Sequence, residues 1–212
     1  MYLAIEGVIG VGKTSLARLL QPKFNAQSLL EVFEENPFLS DFYSDRKRYA
    51  FQTQIFFLLS RYRQQREAVP AALDQGSLIS DYTFSKDALF ARLNLDGDEL
   101  ETYHQVHEAL AERIRTPDLT VYLKVDTDVA MHRIAMRDRP YERNMDRSYI
   151  ESLNRAYEVF FLSDYEGKVL LIDTSAMDFV ANADDLEIIN KRIRASLGIP
   201  PYQRELPFGE EG

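Results

Sequence analysis

A glycine-rich segment near the start of the chain carries the clearest chemical signature. The residues at 7–14 read Gly-Val-Ile-Gly-Val-Gly-Lys-Thr and match the pattern G-x-x-x-x-G-K-[ST]. In this pattern backbone N–H groups and a helix N-terminus surround phosphate oxygens, the lysine reaches the β- and γ-phosphates, and the hydroxyl is a ligand of Mg²⁺. An apolar strand pattern before the segment and a helical one after it disfavour a simple glycine-rich turn. The segment predicts an ATP and Mg²⁺ site formed by Gly7, Val8, Ile9, Gly10, Val11, Gly12, Lys13, Thr14 and Ser15.

Phosphate-binding loops occur in nucleotide switches, motors and kinases, so other segments must decide between these classes. A GTP switch carries D-x-x-G after its third strand and N-K-x-D for guanine. Here the pattern D-x-x-G falls late, at 164–167, and the Asn-Lys-Arg-Ile at 190–193 lacks the aspartate. These departures favour a kinase, which moves the γ-phosphate to an acceptor.

A carboxylate that could act on the acceptor follows the predicted second strand. The segment 30–39, Leu-Glu-Val-Phe-Glu-Glu-Asn-Pro-Phe-Leu, holds Glu31, Glu34 and Glu35. Ligands of open parallel sheets lie beyond the carboxyl ends of the strands, so one of these glutamates can face an incoming hydroxyl. All three are candidates for a general base, and Glu34 and Glu35 fit a solvated acidic loop equally well.

Three arginines form a local basic cluster in an otherwise acidic chain. The 34 Asp and Glu outnumber the 25 Lys and Arg, and the net charge of −9 argues against nucleic acid or an anionic membrane as the partner. A phosphate site must then be built from local donors, which Arg133, Arg137 and Arg139 supply. We expect them to stabilise a transferred phosphoryl group, with an ordinary basic helix end as the alternative.

The order of apolar segments predicts the scaffold that positions these groups. Short apolar runs alternate with longer stretches of helical periodicity, which is typical of an α/β protein with a parallel sheet. The predicted strands are 2–6, 29–34, 78–81, 119–125 and 169–173. The predicted helices are 13–24, 46–68, 98–115, 127–137, 147–164 and 183–196. A length of 212 residues with 45% hydrophobic residues fits one domain.

Composition also predicts where the protein acts. The sequence has no cysteine, no segment with the features of a signal peptide, and no apolar run long enough to span a bilayer. We therefore expect a cytoplasmic protein with a small-molecule substrate.

One predicted helix combines a large apolar surface with polar groups on one face. Within 48–66, Gln54, Phe57 and Arg61 follow the spacing i, i+3 and i+7 and can face one pocket. A core glutamine and core aromatic residues are the alternative. The apolar surface exceeds what one buried face requires and also predicts a homodimer.

These segments together resemble the deoxynucleoside kinase family, and in particular its bacterial deoxyguanosine and deoxyadenosine kinase branch. The resemblance rests on the glycine-rich loop, E-x-x-x-x-N-P-F-L at 31–39, F-Y-x-D at 42–45, Y-A-F-Q-x-Q at 49–54, S-D-Y at 80–82, and H-R-I with R-D-R-P-Y-E at 132–142. It implies a P-loop kinase fold in residues 1–197, with a five-stranded parallel sheet in the order 2-3-1-4-5 flanked by helices. It also implies a lid near 133–145. Independently of the resemblance, the glycines, the three prolines and the Glu-Glu-Gly end of 198–212 predict an extended tail.

The resemblance implies roles at the acceptor end. Glu31 is then the general base for the 5′-hydroxyl of a deoxynucleoside, and Gln54 hydrogen-bonds its base. Tyr43 and Glu142 hold the 3′-hydroxyl. In family members that accept purines an arginine and an aspartate stand near Arg61 and Asp87, and Arg61 beside Phe57 favours deoxyguanosine, then deoxyadenosine, over thymidine.

The resemblance implies further roles at the phosphate end. The lid arginines cover the transferred phosphate together with Lys13, and Thr14 and Asp81 hold Mg²⁺. One departure concerns the residue after Asp81, because Tyr82 stands where much of the family has an arginine that supports the base.

Two other functions compete with a deoxynucleoside kinase. The first is a nucleoside monophosphate kinase of the thymidylate type, whose acceptor phosphate the glutamates of segment 30–39 would repel. The second is a nucleotide-binding regulatory subunit without turnover.

Overall fold

The strands of the protein form one parallel sheet in the computed structural model, which describes residues 1–200 apart from the side chain of Glu34. The sheet has five strands in the order β2-β3-β1-β4-β5. The strands are β1 (Tyr2–Gly7), β2 (Ala26–Leu29), β3 (Ser77–Ser80), β4 (Leu119–Lys124) and β5 (Val169–Asp173). Every strand runs parallel to its neighbours. The predicted fold class and strand order are confirmed.

The predicted position of the second strand, 29–34, is wrong. β2 lies at the edge of the sheet and pairs with β3 alone, so the exposed Gln27 and Ser28 are tolerated there. The apolar run that follows, which includes Leu30 and Phe33, leaves the sheet and continues into a short 3₁₀ turn, Phe33–Glu35. Leu30 packs against the core and Phe33 lines a cavity, so the apolar run had the pattern of a buried strand without being one.

Eight α-helices surround the sheet within residues 1–200. They are α1 (Lys13–Leu20), α2 (Leu39–Ser44), α3 (Arg46–Gln75), α4 (Lys86–Asn94), α5 (Gly97–Ala111), α6 (Thr127–Arg137), α7 (Arg147–Val159) and α8 (Ala183–Leu197). The sequence predicted six of these and missed the short helices α2 and α4. A turn of π-helix, Phe160–Asp164, extends α7.

Helix α3 runs seven residues beyond its predicted end at residue 68. Pro70 lies inside it and removes one backbone hydrogen bond, which costs about 3 kcal/mol in a helix interior. Val69 and Ala72 on either side of the proline pack against Tyr2 and Leu78 of the sheet. This tertiary contact offsets the cost and keeps the helix continuous.

Both faces of the central strand are buried. Leu3 and Ile5 belong to the main core, whereas Tyr2 and Ala4 point to the other face and pack against α3. Helices cover both sides, as in other doubly wound sheets. This packing fixes the carboxyl ends of β1 and β3, from which the phosphate site and its neighbours emerge.

The last helix ends close to residue 200, where the described structure stops. α8 ends at Leu197, and Gly198 adopts a left-handed conformation with φ 67°. Of the predicted tail at 198–212, the part from 201 onward lies outside the described residues. No helix within residues 1–200 has the length and apolar character needed to cross a membrane.

Candidate active site

The glycine-rich loop connects β1 to α1 and wraps tightly. Gly10 and Gly12 have φ values of 85° and 106°, a region that other residues rarely adopt. A Cβ atom on Gly10 would lie 2.7 Å from the carbonyl oxygen of Ala130, so only glycine fits there. The first turn of α1 carries no acidic residue and no side-chain cap, which leaves its N–H groups for an anion.

Lys13 lies folded back over this loop. Its Nζ donates to the carbonyl oxygens of Gly7, at 2.7 Å, and Val8, at 3.2 Å. Burial and then repulsion from Lys86 lower the pKa of Lys13 to about 8. A polyphosphate beside it would favour the charged form again.

Asp81 links the phosphate end to the segment after β2. Thr14 Oγ1 donates to Asp81 Oδ2 at 2.5 Å, and the backbone N–H of Glu31 donates to Asp81 Oδ1 at 2.8 Å. Hydroxyl and carboxylate oxygens suit Mg²⁺, which proteins hold with few side chains plus substrate phosphates. Thr14 and Asp81 therefore fit the predicted ion.

Glu31 lies beyond the carboxyl end of β2 with two cations on its carboxylate. Oε1 accepts from Arg61, whose Nε lies 2.9 Å away, and Oε2 accepts from Lys86 Nζ at 2.7 Å. Burial would raise the pKa of Glu31, but Arg61 and Lys86 outweigh it and hold that pKa below its ordinary value. The group stays a carboxylate that can accept a hydrogen bond from a hydroxyl.

Arg61 bridges two carboxylates. Besides Glu31 it pairs through Nη1 with Asp87, whose side chain is fully buried, and its guanidinium lies 4.6 Å from the ring centre of Phe57. Gln54, also on α3 and 3% exposed, lies in the same cavity wall. Three of the predicted acceptor residues therefore share one wall, and Asp87 reaches it through Arg61.

Tyr43 and Glu142 line the same cavity, although Tyr43 lies on α2 and Glu142 lies in the lid segment. Tyr43 stacks on Tyr141, with ring centres 6.0 Å apart. Burial, followed by Tyr149 and Glu142, raises the pKa of Tyr43 well above its ordinary value, so its hydroxyl stays a donor. The predicted pair is brought together at the cavity.

The three predicted lid arginines are divided between two places. Arg137 binds Glu142 Oε2 with Nε at 3.0 Å and Nη2 at 2.6 Å, and Arg139 lies 3.7 Å from Glu142 Oε1 and stacks over Phe33. Arg133 instead donates to three backbone carbonyls, those of Val11, Thr174 and Met177. Arg137 and Arg139 line the cavity, whereas Arg133 braces the glycine-rich loop.

Most of these groups line one cavity. It joins the glycine-rich loop to the acceptor walls; we call it the active-site cavity. Eight further lining residues were not predicted as site residues, namely Phe33, Leu39, Phe42, Thr53, Lys86, Phe90, Tyr141 and Tyr149. One indication of Lys86 was present in the sequence: this residue is a cation in the largely apolar segment 84–91, where a charged side chain needs a partner.

Tyr82 leaves the position of the family arginine without a cation. Its side chain is fully buried, and its hydroxyl donates to Gln64 Oε1 at 2.8 Å. The ammonium of Lys86 lies 5.9 Å from its ring centre. Tyr82 cannot supply the positive charge of the family arginine. Lys86, which lies beside it, supplies a positive charge to Glu31 instead.

Comparisons with known proteins agree with this geometry. A sequence model of deoxynucleoside kinases matches residues 3–197. The chain belongs to the deoxynucleoside kinase family. It is 36% identical to a deoxyguanosine kinase of Bacillus subtilis over 198 residues, covering 91% of this chain and 96% of the relative. It is 35% identical to a deoxyadenosine kinase of Dictyostelium discoideum over 184 residues, covering 84% of this chain and 74% of the relative.

A solved structure shares the fold. The deoxyadenosine kinase of M. mycoides, determined with the products dCMP and dCDP, superposes with a TM-score of 0.80 at 27% identity and covers 92% of this chain and 100% of its own. The protein is thus a kinase that phosphorylates nucleosides. Family membership favours a nucleoside kinase over both alternatives, the nucleoside monophosphate kinase and the non-catalytic regulatory subunit.

Proposed function

We propose that this kinase transfers the γ-phosphate of ATP to the 5′-hydroxyl of a purine deoxynucleoside, with deoxyguanosine preferred over deoxyadenosine. The observation that carries the proposal is the active-site cavity, whose wall joins Lys13 and Thr14 to Gln54 and Arg61 with Glu31 between them. A phosphate donor at one end and a nucleoside at the other would meet at Glu31. The similarity to a deoxyguanosine kinase supports the choice of base.

Glu31 serves the acceptor hydroxyl in this proposal. The 5′-oxygen forms a bond to the γ-phosphorus, the bond from that phosphorus to the β,γ-bridging oxygen breaks, and ADP leaves. The hydroxyl proton passes to the Glu31 carboxylate, which is ion-paired with Arg61 and Lys86. A weakly basic carboxylate is sufficient, because phosphoryl transfer depends mainly on positioning and charge stabilisation.

Lys13 and the lid arginines serve the phosphate. Lys13, Arg137 and Arg139 line the cavity and can meet the negative charge of the transferred group. Thr14 and Asp81 would hold Mg²⁺, which neutralises phosphate charge when bound. The role of Arg133 at the phosphate stays a prediction, since its guanidinium is engaged with backbone carbonyls.

The sugar and the base are read by two groups of residues, which we call the sugar wall (Tyr43 and Glu142) and the base wall (Gln54, Phe57 and Arg61). Tyr43 and Glu142 close on the 3′-hydroxyl and would leave little room for a 2′-hydroxyl. Arg61 has five N–H donors, of which three face Glu31 and Asp87, so two remain for the O6 and N7 acceptors of guanine. Phe57, stacked under Arg61, leaves no apolar slot for the thymine methyl group.

A substrate panel tests the proposal. Purified protein with ATP and Mg²⁺ is given deoxyguanosine, deoxyadenosine, deoxycytidine, thymidine, guanosine and dGMP, and nucleotide products are separated by chromatography. We expect the highest kcat/KM with deoxyguanosine and the second highest with deoxyadenosine. A preference for thymidine or deoxycytidine overturns the base assignment, and phosphorylation of dGMP alone overturns the acceptor assignment.

The homodimer predicted from α3 stays a prediction. Most of the apolar residues on which it rests are used inside the subunit, as Leu58 is fully buried. Leu59 beside it is 50% exposed. Sedimentation of the wild type against Leu59→Lys measures whether this surface joins two copies.

A further inference from the structure

Lys86 occupies an unfavourable place for a cation. It is the first residue of α4, where the helix dipole is positive, and its side chain is only 5% exposed. Lys13 lies near enough for the two ammonium groups to repel each other. A lysine kept under these conditions is costly unless a nearby negative charge compensates. Such a conflict with local preferences is expected at functional positions.

The compensating charge is the Glu31 carboxylate. Among the described residues, it is the one carboxylate that pairs with Lys86, at 2.7 Å from Nζ to Oε2. The ring centres of Tyr82 and Phe90 lie 5.9 Å and 5.7 Å from the same nitrogen. The ammonium therefore lies beside two aromatic rings and the Glu31 oxygen, and the fully buried Glu6 also attracts it from farther away.

Arg61 cannot replace this contact. It binds Oε1 of Glu31, and Asp87 holds its Nη1 on the other side. Lys86 alone, within residues 1–200, donates to Oε2. Two cations on two different oxygens fix the plane of the carboxylate, whereas one cation would leave it free to rotate.

We propose that Lys86 is a positioning residue for phosphoryl transfer, which fixes the Glu31 carboxylate toward the arriving acceptor hydroxyl. The inference rests on the proposed function and adds a residue to it. Misplacing a reacting group by a fraction of an ångström lowers turnover more than it lowers binding. The expected signature is a loss of kcat that depends on the presence of Glu31.

A double-mutant cycle tests this dependence. kcat is measured at saturating ATP and deoxyguanosine for the wild type, Lys86→Met, Glu31→Gln and the double variant. Lys86→Met should lower kcat roughly tenfold or more while the nucleoside KM changes by less than about threefold. In the Glu31→Gln background the same change should cost less than about threefold. Equal losses in both backgrounds overturn the proposal.

A matched lysine separates this role from the loss of any ion pair. Lys124 Nζ also lies 2.7 Å from a glutamate oxygen, that of Glu158, on the partly exposed surface outside the active-site cavity. Lys124→Met should leave kcat unchanged. A similar fall of kcat in Lys124→Met and Lys86→Met contradicts the assignment. If Lys86→Met does not fold, as judged by thermal unfolding, Lys86→Gln enters the same cycle.

The outcomes also separate this inference from the proposed function. A wild-type protein that consumes no ATP with any nucleoside overturns the proposed function itself. A wild-type protein that phosphorylates deoxyguanosine while Lys86→Met keeps normal kcat overturns the Lys86 inference alone.

Discussion

Two glutamates in the active-site cavity are each held by two cations, but their surroundings differ. Glu31 pairs with Arg61 and Lys86, whose side chains are 7% and 5% exposed. Glu142 pairs with Arg137 and Arg139, whose side chains are 34% and 30% exposed. The first set belongs to the packed interior and the second to the lid segment.

The exposure of the paired cations determines which contacts can be exchanged during a reaction. Buried charges are expensive to separate, because nothing replaces the lost partner. The lid arginines are partly exposed, so water screens their charges when they turn toward a phosphate, although the Glu142 side chain is only 4% exposed and favours the paired arrangement. We therefore expect the interior set to fix Glu31 and the lid set to respond to the nucleotide.

The largest effect is expected from changing Glu31, the carboxylate that Arg61 and Lys86 share. Glu31→Gln should keep nucleoside binding while lowering kcat roughly 10²-fold or more, the scale for losing a positioned acid or base. Steady-state kinetics with deoxyguanosine and ATP measure it. Glu158→Gln, which changes an exposed glutamate, is the control and should be neutral. Near-normal kcat in Glu31→Gln would move the general base to another carboxylate.

The second largest effect is expected from removing Arg139, one of the two lid arginines paired with Glu142. Arg139→Ala is expected to lower kcat roughly 10²-fold with a much smaller effect on nucleoside affinity, because its charge is needed mainly in the transition state. Arg143→Ala removes a nearby exposed arginine paired with Asp138 and serves as the control. An effect confined to the nucleoside KM would contradict the lid assignment.

Replacing Arg61, which bridges Glu31 and Asp87, should affect both base preference and stability. Arg61→Met should lower kcat/KM for deoxyguanosine about tenfold or more and relax discrimination against pyrimidines, as expected for a lost bidentate contact. It also leaves Asp87 buried without its cation, so the melting temperature should fall. Adding Asp87→Asn should recover stability without recovering specificity. Unchanged preference for deoxyguanosine in Arg61→Met would contradict the assignment of Arg61 to the base.

The smallest effect is expected from a single hydroxyl on the sugar wall. Tyr43→Phe keeps the ring stacked on Tyr141 and removes one hydrogen bond, so the KM for deoxyguanosine should rise roughly 3- to 10-fold. The ratio of kcat/KM for deoxyguanosine to kcat/KM for guanosine should become smaller in this variant. Tyr62→Phe, whose hydroxyl accepts from Arg66 on the exposed side of α3, is the control. Equal kcat/KM of the wild type for guanosine and deoxyguanosine would refute the sugar wall.

Local sequence determined the parts of the site that are contiguous. The glycine-rich loop needs only its own backbone, the strand before it and the helix after it, so residues 7–14 were predicted with their chemistry. Alternation of apolar runs was enough for the fold class, and the resemblance supplied the strand order. β5 at Val169–Asp173 coincides with its prediction because it is a compact apolar run.

The partners of the charged groups could not be predicted from the sequence and became known from the three-dimensional structure. Lys86 and Glu31 are 55 residues apart, and the sequence around neither residue indicates that they form an ion pair. The second strand also lies before the apolar run that was predicted to form it, and Arg133 donates to backbone carbonyls. Charge pairing depends on which side chains long-range packing brings within a few ångströms, and composition or periodicity carries no record of those distances.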